Sequence, residues 1–172
     1  SLLDLGTGSG CIALTLAAES RERGLDVRIS ASDVSKSAEE VFRINAERLF
    51  PARPSAAVLF ILSDLFDRID DRFDIIVSNP PYLTNEEVRK MESAGWPEPS
   101  LALKGGTGGL DILDKIVYQG MDYLVRNGYL LLEAHHAQMP ELEGFLRGAG
   151  YAGIRRLADL AGRERVILGR RE

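Results

Sequence analysis

The chain has 172 residues, which is enough for one domain with a full hydrophobic core. Its hydrophobic fraction of 45% and charged fraction of 27% are those of an ordinary globular protein. A net charge of −5 without a basic block disfavours nucleic acid as a standing partner, and a single cysteine excludes a disulfide framework or a cysteine metal cluster.

The cysteine and the two histidines have ordinary structural interpretations. Cys11 lies in an apolar run, which predicts a small buried core residue. His135 and His136 are adjacent, so they do not share a helix face, and no carboxylate spacing near them suggests a metal site. We expect both histidines at the surface or in a loop, and no bound metal. No run is long enough to span a membrane and no signal peptide is recognised, so we expect a cytoplasmic protein.

A strand, a glycine-rich turn and a helix open the chain. Residues 1–5 predict a buried strand, and residues 11–18 have apolar side chains at helical spacing. Glycines between them permit positive φ and close approach of a ligand, and free N–H groups at the helix start suit an anionic or electron-rich group. Asp4 just before the turn disfavours a pyrophosphate and favours a ligand with an ammonium group. The turn reads Gly6-Thr7-Gly8-Ser9-Gly10.

An acidic residue follows the second predicted strand, residues 27–31. Asp33 is placed there to accept both ribose hydroxyls of a nucleoside ligand. The alternative is that Asp33 caps the helix predicted over residues 35–49, and both roles can hold together.

A second acidic residue follows the third predicted strand, residues 58–62. Asp64 could meet the amino group of an adenine, with Leu65 and Phe66 against the ring. A plain turn explains Asp64 equally well when it is considered alone.

The tetrapeptide Asn79-Pro80-Pro81-Tyr82 follows a fourth predicted strand, residues 73–78, which is short, apolar and β-branched. It therefore lies at the carboxyl end of a strand, where open α/β sheets place their ligands. The Asn79 amide can accept and donate hydrogen bonds, and the prolines keep the backbone extended with its carbonyls free. With the Tyr82 ring as a wall, these groups could hold a planar –NH2 group. An ordinary turn is the alternative.

A short helix and a long loop come next. Thr84-Asn85-Glu86-Glu87 has the form of a capping box and predicts a helix start. Residues 93–109 are rich in Gly and Pro, and a loop of that length is usually functional or disordered. Its Trp and Leu side chains predict a packed lid over the site.

The last third of the chain completes the predicted fold. Apolar residues from Leu110 to Leu124 lie on one helix face, residues 129–133 predict strand five, and residues 139–146 predict another helix. Residues 151–157 and 165–168 predict two strands too close together for a helical crossover, which favours an antiparallel pair. We therefore predict an α/β fold with a doubly wound, mainly parallel seven-stranded sheet and an antiparallel C-terminal hairpin.

These motifs resemble those of the class I S-adenosylmethionine (SAM) dependent methyltransferases, a Rossmann-like family. Asn-Pro-Pro-Tyr resembles the motif of the members that methylate planar amino or amide nitrogens. Further segments resemble the bacterial protein-(glutamine-N5) methyltransferases of the HemK/PrmC type, which act on peptide chain release factors. These segments are Glu98-Pro99-Ser100-Leu101-Ala102-Leu103, Gly105-Gly106, Gly109-Leu110-Asp111 and Asp159-Leu160-Ala161-Gly162-Arg163-Glu164-Arg165. The resemblance covers nearly the whole chain.

The resemblance implies a SAM site and a substrate site. The turn would cradle the methionine part of SAM, Asp33 would hold the ribose, and Asp64 with Leu65 would border the adenine. The implied SAM site comprises Asp4, Gly6, Thr7, Gly8, Ser9, Gly10, Asp33, Asp64, Leu65 and Asn79. The implied substrate site comprises Asn79, Pro80, Pro81 and Tyr82, with Asn79, Pro80 and Tyr82 acting in catalysis. The product of SAM would be S-adenosylhomocysteine, and no metal is implied.

The implied reaction is methylation of the side-chain amide of the glutamine in the Gly-Gly-Gln loop of release factors. Release factors would be the partner, with no stable nucleic-acid binding and no membrane. Alternatives are methylation of a ribosomal protein glutamine, or of an exocyclic amino group of adenine or guanine in nucleic acid. An alternative of another class is a SAM-binding module without catalytic activity.

Two features depart from the family pattern. Family members carry a helical N-terminal domain that helps to dock the release factor, whereas this chain opens directly on a predicted central strand. We expect residues 1–172 to be the catalytic domain, with the helical domain absent from this sequence. After strand five the family often has Glu-x-Gly, whereas this chain has Glu133-Ala134-His135, which changes a tight turn but not the chemistry.

Overall fold

The computed structural model describes residues 1–52 and 57–172. Within these ranges the strands are β1 Leu2–Leu5, β2 Ile29–Asp33, β3 Leu59–Leu62, β4 Phe73–Ser78, β5 Leu124–Glu133, β6 Ala152–Ala158 and β7 Glu164–Arg170. The α-helices are α1 Cys11–Glu22, α2 Lys36–Leu49, α3 Asn85–Ser93, α4 Asp111–Tyr123 and α5 Met139–Gly148.

All seven strands form one sheet in the order β3-β2-β1-β4-β5-β7-β6. The pairs from β3 to β5 are parallel, and β7 is antiparallel to both β5 and β6. The predicted fold class is therefore confirmed, including the antiparallel C-terminal hairpin. The chain reverses its direction of winding between β1 and β4, and such a switch point opens a crevice for ligands.

The strand register brings the sequence motifs to one edge of the sheet. Leu5 is level with Ser32 of β2 and with Ser78 of β4, and Asp33 is level with Leu62 of β3. The segments that follow these four strands therefore leave the sheet side by side at its carboxyl edge.

Two apolar clusters cover the two faces of the sheet. Leu3 and Leu5 belong to the larger cluster with α4 and α5, whereas Leu2 belongs to the smaller cluster with α1 and α2. Successive residues of a strand point to opposite faces, so each pair of helices covers one face. This is the doubly wound arrangement that the alternation of elements predicted.

The predicted core position of Cys11 is wrong. Cys11 is the first residue of α1 and its side chain is exposed. The buried stripe of α1 is formed by Ala13, Leu14 and Ala17. Each residue turns a helix by about 100°, which places position 11 outside that stripe.

Strand β5 begins earlier than predicted and contains a kink. Leu124, assigned to the preceding helix from its apolar spacing, has extended backbone and starts β5. Asn127 has a φ of +64°, and a Cβ at Gly128 would lie 3.0 Å from the carbonyl oxygens of Asp74 and Val125. The Asn-Gly pair therefore bends a continuous strand, of which only residues 129–133 were predicted from the sequence.

Candidate active site

The glycine turn after β1 has the geometry that its sequence predicts. Gly6, Gly8 and Gly10 have φ values of +71°, +56° and +88°. The N–H groups of Gly6 and Thr7 both donate to the Ser32 carbonyl oxygen, at 2.8 and 2.9 Å, which ties the turn to β2. The turn can therefore present its remaining backbone to a ligand without blocking side chains.

Asp4 lies beneath this turn and is 1% exposed. Its Oδ2 accepts hydrogen bonds from Thr7 Oγ1 at 2.6 Å and from Ala13 N at 3.0 Å, so it joins β1, the turn and α1. Burial raises the pKa of Asp4 above its ordinary value, and the two hydrogen bonds oppose that shift. Its Oδ1 has no hydrogen-bond partner among residues 1–52 and 57–172. A direct contact of Asp4 with a ligand stays a prediction.

Asp33 ends β2 and faces the same turn. Its Oδ2 accepts a hydrogen bond from Gly8 N at 2.8 Å, and its Oδ1 accepts one from Ser35 N at 2.9 Å. The N-cap of α2 is Ser35, whose side chain accepts from Ala38 N, so the alternative that Asp33 caps this helix is wrong. Each carboxylate oxygen has a second lone pair, which leaves Asp33 able to accept two ligand hydroxyls.

The segment after β3 forms a tight turn. Asp64 is exposed and Leu65 is half-buried, with a φ of +44° in the left-handed region. A non-glycine residue in that region costs on the order of 1–3 kcal/mol and is a pointer to function. Phe66 is buried and its ring stacks on Tyr123, with centroids 4.5 Å apart, so its predicted contact with an adenine ring is wrong.

The Asn79-Pro80-Pro81-Tyr82 segment, called the rim below, leaves β4 beside the glycine turn. Ser78 Oγ donates to the Leu5 carbonyl oxygen at 2.6 Å and fixes the start of the rim to β1. A Cβ at Gly6 would lie 4.0 Å from Ser78 Oγ, so the glycine turn and the rim border the same crevice. Asn79 is exposed there and Pro80 is buried.

A cavity of about 280 Å³ opens between the rim, α3 and the loop that follows α3. Its walls combine the Asn79 amide with apolar side chains and one carboxylate, which is a composition typical of ligand sites. The lining residues are Asn79, Pro80, Pro81, Tyr82, Leu83, Met91, Trp96, Glu98, Ala102 and Leu103.

The loop after α3 packs on the rim through its backbone. Leu83 N donates to the Leu103 carbonyl oxygen at 3.0 Å, and Gly105 N donates to the Leu83 carbonyl oxygen at 2.8 Å. A Cβ at Gly105 would lie 2.7 Å from Tyr82 Cα, so only glycine allows this approach. The segment predicted as a packed lid over the site does pack on the rim and line the cavity, but through its backbone. The side chains of Trp96 and Leu101, which suggested a packed lid, are exposed.

The predicted capping box at the start of α3 is present. Thr84 Oγ1 accepts from Glu87 N at 3.2 Å, and Glu87 Oε2 accepts from Thr84 N at 2.8 Å. The two hydrogen bonds fix where α3 begins, directly after the rim, and so place Met91 in the cavity wall.

Tyr82 is a neutral phenol at this site. It is half-buried, and burial together with the Glu133 carboxylate raises its pKa above 10, although Arg165 opposes the shift. Its ring can therefore form a wall, and its hydroxyl keeps a proton to donate.

Sequence reasoning missed Leu83 and Met91 of the cavity wall, and it missed Gln138, which contacts the rim. Its Nε2 donates to the carbonyl oxygens of Tyr82 and Gly109, and its Oε1 accepts from His135 N. The available signal was a polar residue between β5 and the next helix, at the edge where the motifs meet. His135 and His136 lie at the surface of this turn, as predicted.

A second cavity of about 520 Å³ lies at the opposite edge of the sheet, next to the start of β2. It contains none of the predicted site residues. Its lining is Ala17, Ser20, Arg21, Leu25, Asp26, Val27, Phe50, Ala52 and Ala57. The smaller cavity beside the rim is therefore the candidate active site.

Neither a membrane-spanning helix nor a metal-binding cluster is found in the described part of the chain. Within residues 1–52 and 57–172, no helix is both long enough and apolar enough to cross a bilayer. In the same ranges, no three His, Cys, Asp or Glu side chains are grouped as metal ligands.

Residues 1–94, which include the glycine turn, Asp33 and the rim, match the family model described as methyltransferase small domain. The chain belongs to this methyltransferase family. The match spans more than half of the chain, and it includes every residue that was predicted to contact the cofactor or the substrate.

Curated relatives of this methyltransferase cover almost all of the chain. A release factor glutamine methyltransferase of Cereibacter sphaeroides is 40% identical over 172 residues, which are 99% of this chain and 59% of that protein. One of Neisseria gonorrhoeae is 38% identical over 170 residues, which are 97% of this chain and 59% of that protein. The resemblance indicated by the sequence motifs is confirmed. The chain spans less than two thirds of the length of these relatives.

Solved structures share the fold of this methyltransferase at low sequence identity. A ribosomal protein L11 methylase from Lactobacillus delbrueckii subsp. bulgaricus has a TM-score of 0.64 at 19% identity, covering 99% of this chain and 70% of that chain. A T. thermophilus 16S rRNA N2 G1207 methyltransferase in complex with AdoMet and guanosine has a TM-score of 0.61 at 19% identity, covering 99% of this chain and 37% of that chain.

Proposed function

We propose that this chain is the catalytic domain that transfers a methyl group from SAM to the side-chain amide of a glutamine in the Gly-Gly-Gln loop of a peptide chain release factor. The observation that carries the proposal is the rim, an exposed Asn79 on a backbone fixed next to the glycine turn. The similarity to release factor glutamine methyltransferases supports the choice of substrate. The partner is then the release factor, and the reaction takes place in the cytoplasm.

The crevice at the carboxyl edge of the sheet fits SAM. The glycine turn leaves room for the methionine part, and the buried Asp4 carboxylate provides negative charge below it. Asp33 keeps one lone pair on each oxygen for the two ribose hydroxyls. Asp64 and Leu65 lie after the neighbouring strand, where an adenine ring in line with that ribose would lie. SAM, when bound, supplies a methyl group on a sulfonium that is ready for in-line transfer.

The protein's contribution to the reaction is mainly positioning. An amide nitrogen is a poor nucleophile because its lone pair is delocalised, so geometry has to lower the barrier. The Asn79 side-chain oxygen and the Pro80 carbonyl oxygen each accept one hydrogen of the substrate –NH2. These contacts orient the nitrogen and stabilise the positive charge that develops on it during transfer. The proton leaves after transfer, so no strong general base is required.

The cavity walls select a planar amide on a flexible side chain. Tyr82 is neutral and Trp96, Met91 and Leu103 are apolar, so most of the wall suits a neutral planar group, and Glu98 is the one carboxylate among the lining residues. A substrate amide that fills the cavity displaces water from it, which strengthens the two hydrogen bonds to the amide.

The deciding experiment offers three substrates separately to the protein with SAM. These are a release factor, ribosomal particles and DNA, and the readout is mass spectrometry of the Gly-Gly-Gln peptide and methyl counting on the others. We expect one added methyl group on that glutamine, and its loss in Asn79→Ala. An unmodified glutamine with a methylated ribosomal protein or nucleic acid would keep the cofactor and move the substrate to one of the alternatives.

A further inference from the structure

We propose that Gln138 is a positioning residue for methyl transfer, because its side-chain amide fixes the far end of the rim. The inference rests on the proposed function of that rim. Gln138 lies outside the matched family segment and follows β5, as the last residue of a short 3-10 helix, His136–Gln138, directly before α5.

Gln138 uses both ends of its amide. The Nε2 group donates to the Tyr82 carbonyl oxygen at 3.0 Å and to the Gly109 carbonyl oxygen at 3.1 Å. The Oε1 atom accepts from His135 N at 3.1 Å. Three separate segments, namely the rim, the corner before α4 and the turn after β5, are therefore joined by one side chain.

The contacts determine how this amide is oriented. Two carbonyl oxygens can pair only with an N–H group, and the His135 N–H can pair only with an oxygen. A flipped amide would place oxygen against two oxygens and nitrogen against nitrogen, losing all three hydrogen bonds. Gln138 is thus a specific connector whose two chemical ends are both required.

The rim needs such a connector because of its own sequence. Pro80 and Pro81 have no N–H group, so the backbone between Asn79 and Tyr82 cannot be fixed by donating hydrogen bonds from these positions. The start of the rim is fixed through Ser78, and its end is fixed where the Tyr82 carbonyl oxygen accepts from Gln138. Between these two points lies the Pro80 carbonyl that meets the substrate nitrogen.

The corner before α4 packs closely against both the rim and the Gln138 side chain. A Cβ at Gly109 would lie 2.4 Å from the Tyr82 carbonyl oxygen and 2.7 Å from Gln138 Nε2. The close contact shows that the corner, the rim and the Gln138 side chain are fitted to one another. Loss of the amide would release the Tyr82 carbonyl from this contact and allow the rim to shift.

The expected effect is on turnover rather than on cofactor binding. A displacement of about 1 Å at a reacting centre can reduce a rate by about 100-fold, so we expect kcat to fall by about 10- to 100-fold in Gln138→Met. The SAM dissociation constant should stay within about twofold of the wild-type value, because Gln138 makes no hydrogen bond to the glycine turn or to Asp33.

The variant Gln138→Glu distinguishes positioning from a merely structural role. As a carboxylate, the side chain faces two carbonyl oxygens and repels them, whereas the protonated acid donates to one of them and still accepts from His135 N. The activity of Gln138→Glu relative to wild type should therefore rise as pH falls. Gln138→Met has no titrating group, so its relative activity should not change with pH.

Titrating and charged groups near Gln138 are present in every variant. They lie on α3, on the loop after α3, on β5, on the turn after β5, on the loop between β6 and β7 and on β7, and the same groups are present in the wild-type protein to which each activity is referred. They are Glu87, Glu98, Glu133, His135, His136, Arg163 and Arg165. Gln119→Glu on the exposed side of α4 is the matched control for the added charge, and it should leave activity unchanged.

The experiment measures kcat, KM and SAM affinity for these three variants from pH 5.5 to 8, with whichever acceptor the wild-type protein methylates. Failure of the release-factor proposal would change that acceptor but not the comparison of variants. A large fall in kcat for Gln138→Met at unchanged SAM affinity, with recovery of Gln138→Glu at low pH, supports positioning. A kcat within about twofold of wild type for Gln138→Met, or a pH-independent ratio for Gln138→Glu, overturns it.

Discussion

At the residue scale, Asn79 combines a free side chain with a fixed backbone. Ser78 before it and Pro80 after it are both buried, whereas Asn79 itself is exposed in the crevice. Replacement of its side chain should therefore remove the amide contact and leave the backbone of the rim in place. A substitution at Asn79 therefore measures how much one oriented hydrogen-bond acceptor contributes to the rate of methyl transfer.

We predict that Asn79→Ala lowers turnover by about 5- to 150-fold. One buried, oriented hydrogen bond is worth about 1–3 kcal/mol, and this range converts to that factor in rate. Single-turnover methyl transfer at saturating SAM measures the effect, and the melting temperature of the variant checks that the fold is kept. Near-normal turnover would contradict the positioning mechanism.

Asp33 has a local role in holding Gly8 and Ser35, and the proposed function gives it a second role in binding the ribose. We predict that Asp33→Ala weakens SAM binding by at least about tenfold, since a hydrogen bond to a charged group is worth about 1.5–3 kcal/mol. Titration calorimetry gives the dissociation constant, and Asp33→Asn is the isosteric comparison that keeps an acceptor oxygen. An unchanged SAM affinity in Asp33→Ala would mean that Asp33 only holds Gly8 and Ser35 in place.

At the scale of elements, the sequence predicted the features that depend on short-range pattern. The glycine turn, the capping box at Thr84 and the closing antiparallel strands each follow from a few neighbouring residues, and all are found. The helix face of Cys11 and the start of β5 were predicted wrongly from local pattern, whereas two further misses concern contacts between distant segments. The Phe66 ring lies in the core and stacks on Tyr123. The Gln138 side chain donates a hydrogen bond to the carbonyl oxygen of Tyr82, which is 56 positions away in the chain.

The capping box at the start of α3 should make the stability of the protein depend on pH. The pKa of Glu87 is lowered from 4.5 because the Thr84 backbone N–H and then the Thr84 hydroxyl donate to its carboxylate. Between the lowered pKa and 4.5, the native state therefore binds fewer protons than the unfolded state. The contribution of Glu87 to the free energy of unfolding is complete above pH 4.5 and is lost as pH falls through the lowered pKa.

We predict that Glu87→Gln removes this pH dependence and keeps the helix start. Glutamine can still accept from Thr84 N, so the capping box stays formed without a titrating group. Urea unfolding of both proteins from pH 7 to pH 3 gives the difference in free energy. That difference should favour wild type at pH 7 and shrink below pH 4.5, and a constant difference would contradict the assignment.

At the scale of the whole molecule, the crevice joins the two halves of the sheet. The glycine turn and Asp33 pack with α1 and α2 on one face, whereas the rim and Gln138 are held by segments next to α4 and α5. A ligand that contacts the glycine turn, Asp33 and the rim together binds only the folded state, and its binding energy adds to the stability of the entire fold.

We predict that SAM at 100 times its dissociation constant stabilises the protein by about 2.7 kcal/mol. For a domain of this size the melting temperature should rise by about 5–11 °C. Differential scanning calorimetry measures the rise, with ATP as a control that shares adenine and ribose but lacks the methionine part. An equal rise with ATP would contradict a site built for methionine, and Asp33→Ala should reduce the rise with SAM.

The position of β7 between β5 and β6 has a consequence for how the protein is made. During synthesis, one edge of β5 stays unpaired until residue 170 has left the ribosome, because its partner on that side, β7, follows β6 in the chain. At about 5–20 residues per second, the 37 residues that follow Glu133, up to and including Arg170, take about 2–7 s to synthesise. Throughout that interval the nascent chain already contains the complete glycine turn and rim, yet it exposes a strand that chaperones or a second nascent chain can pair with.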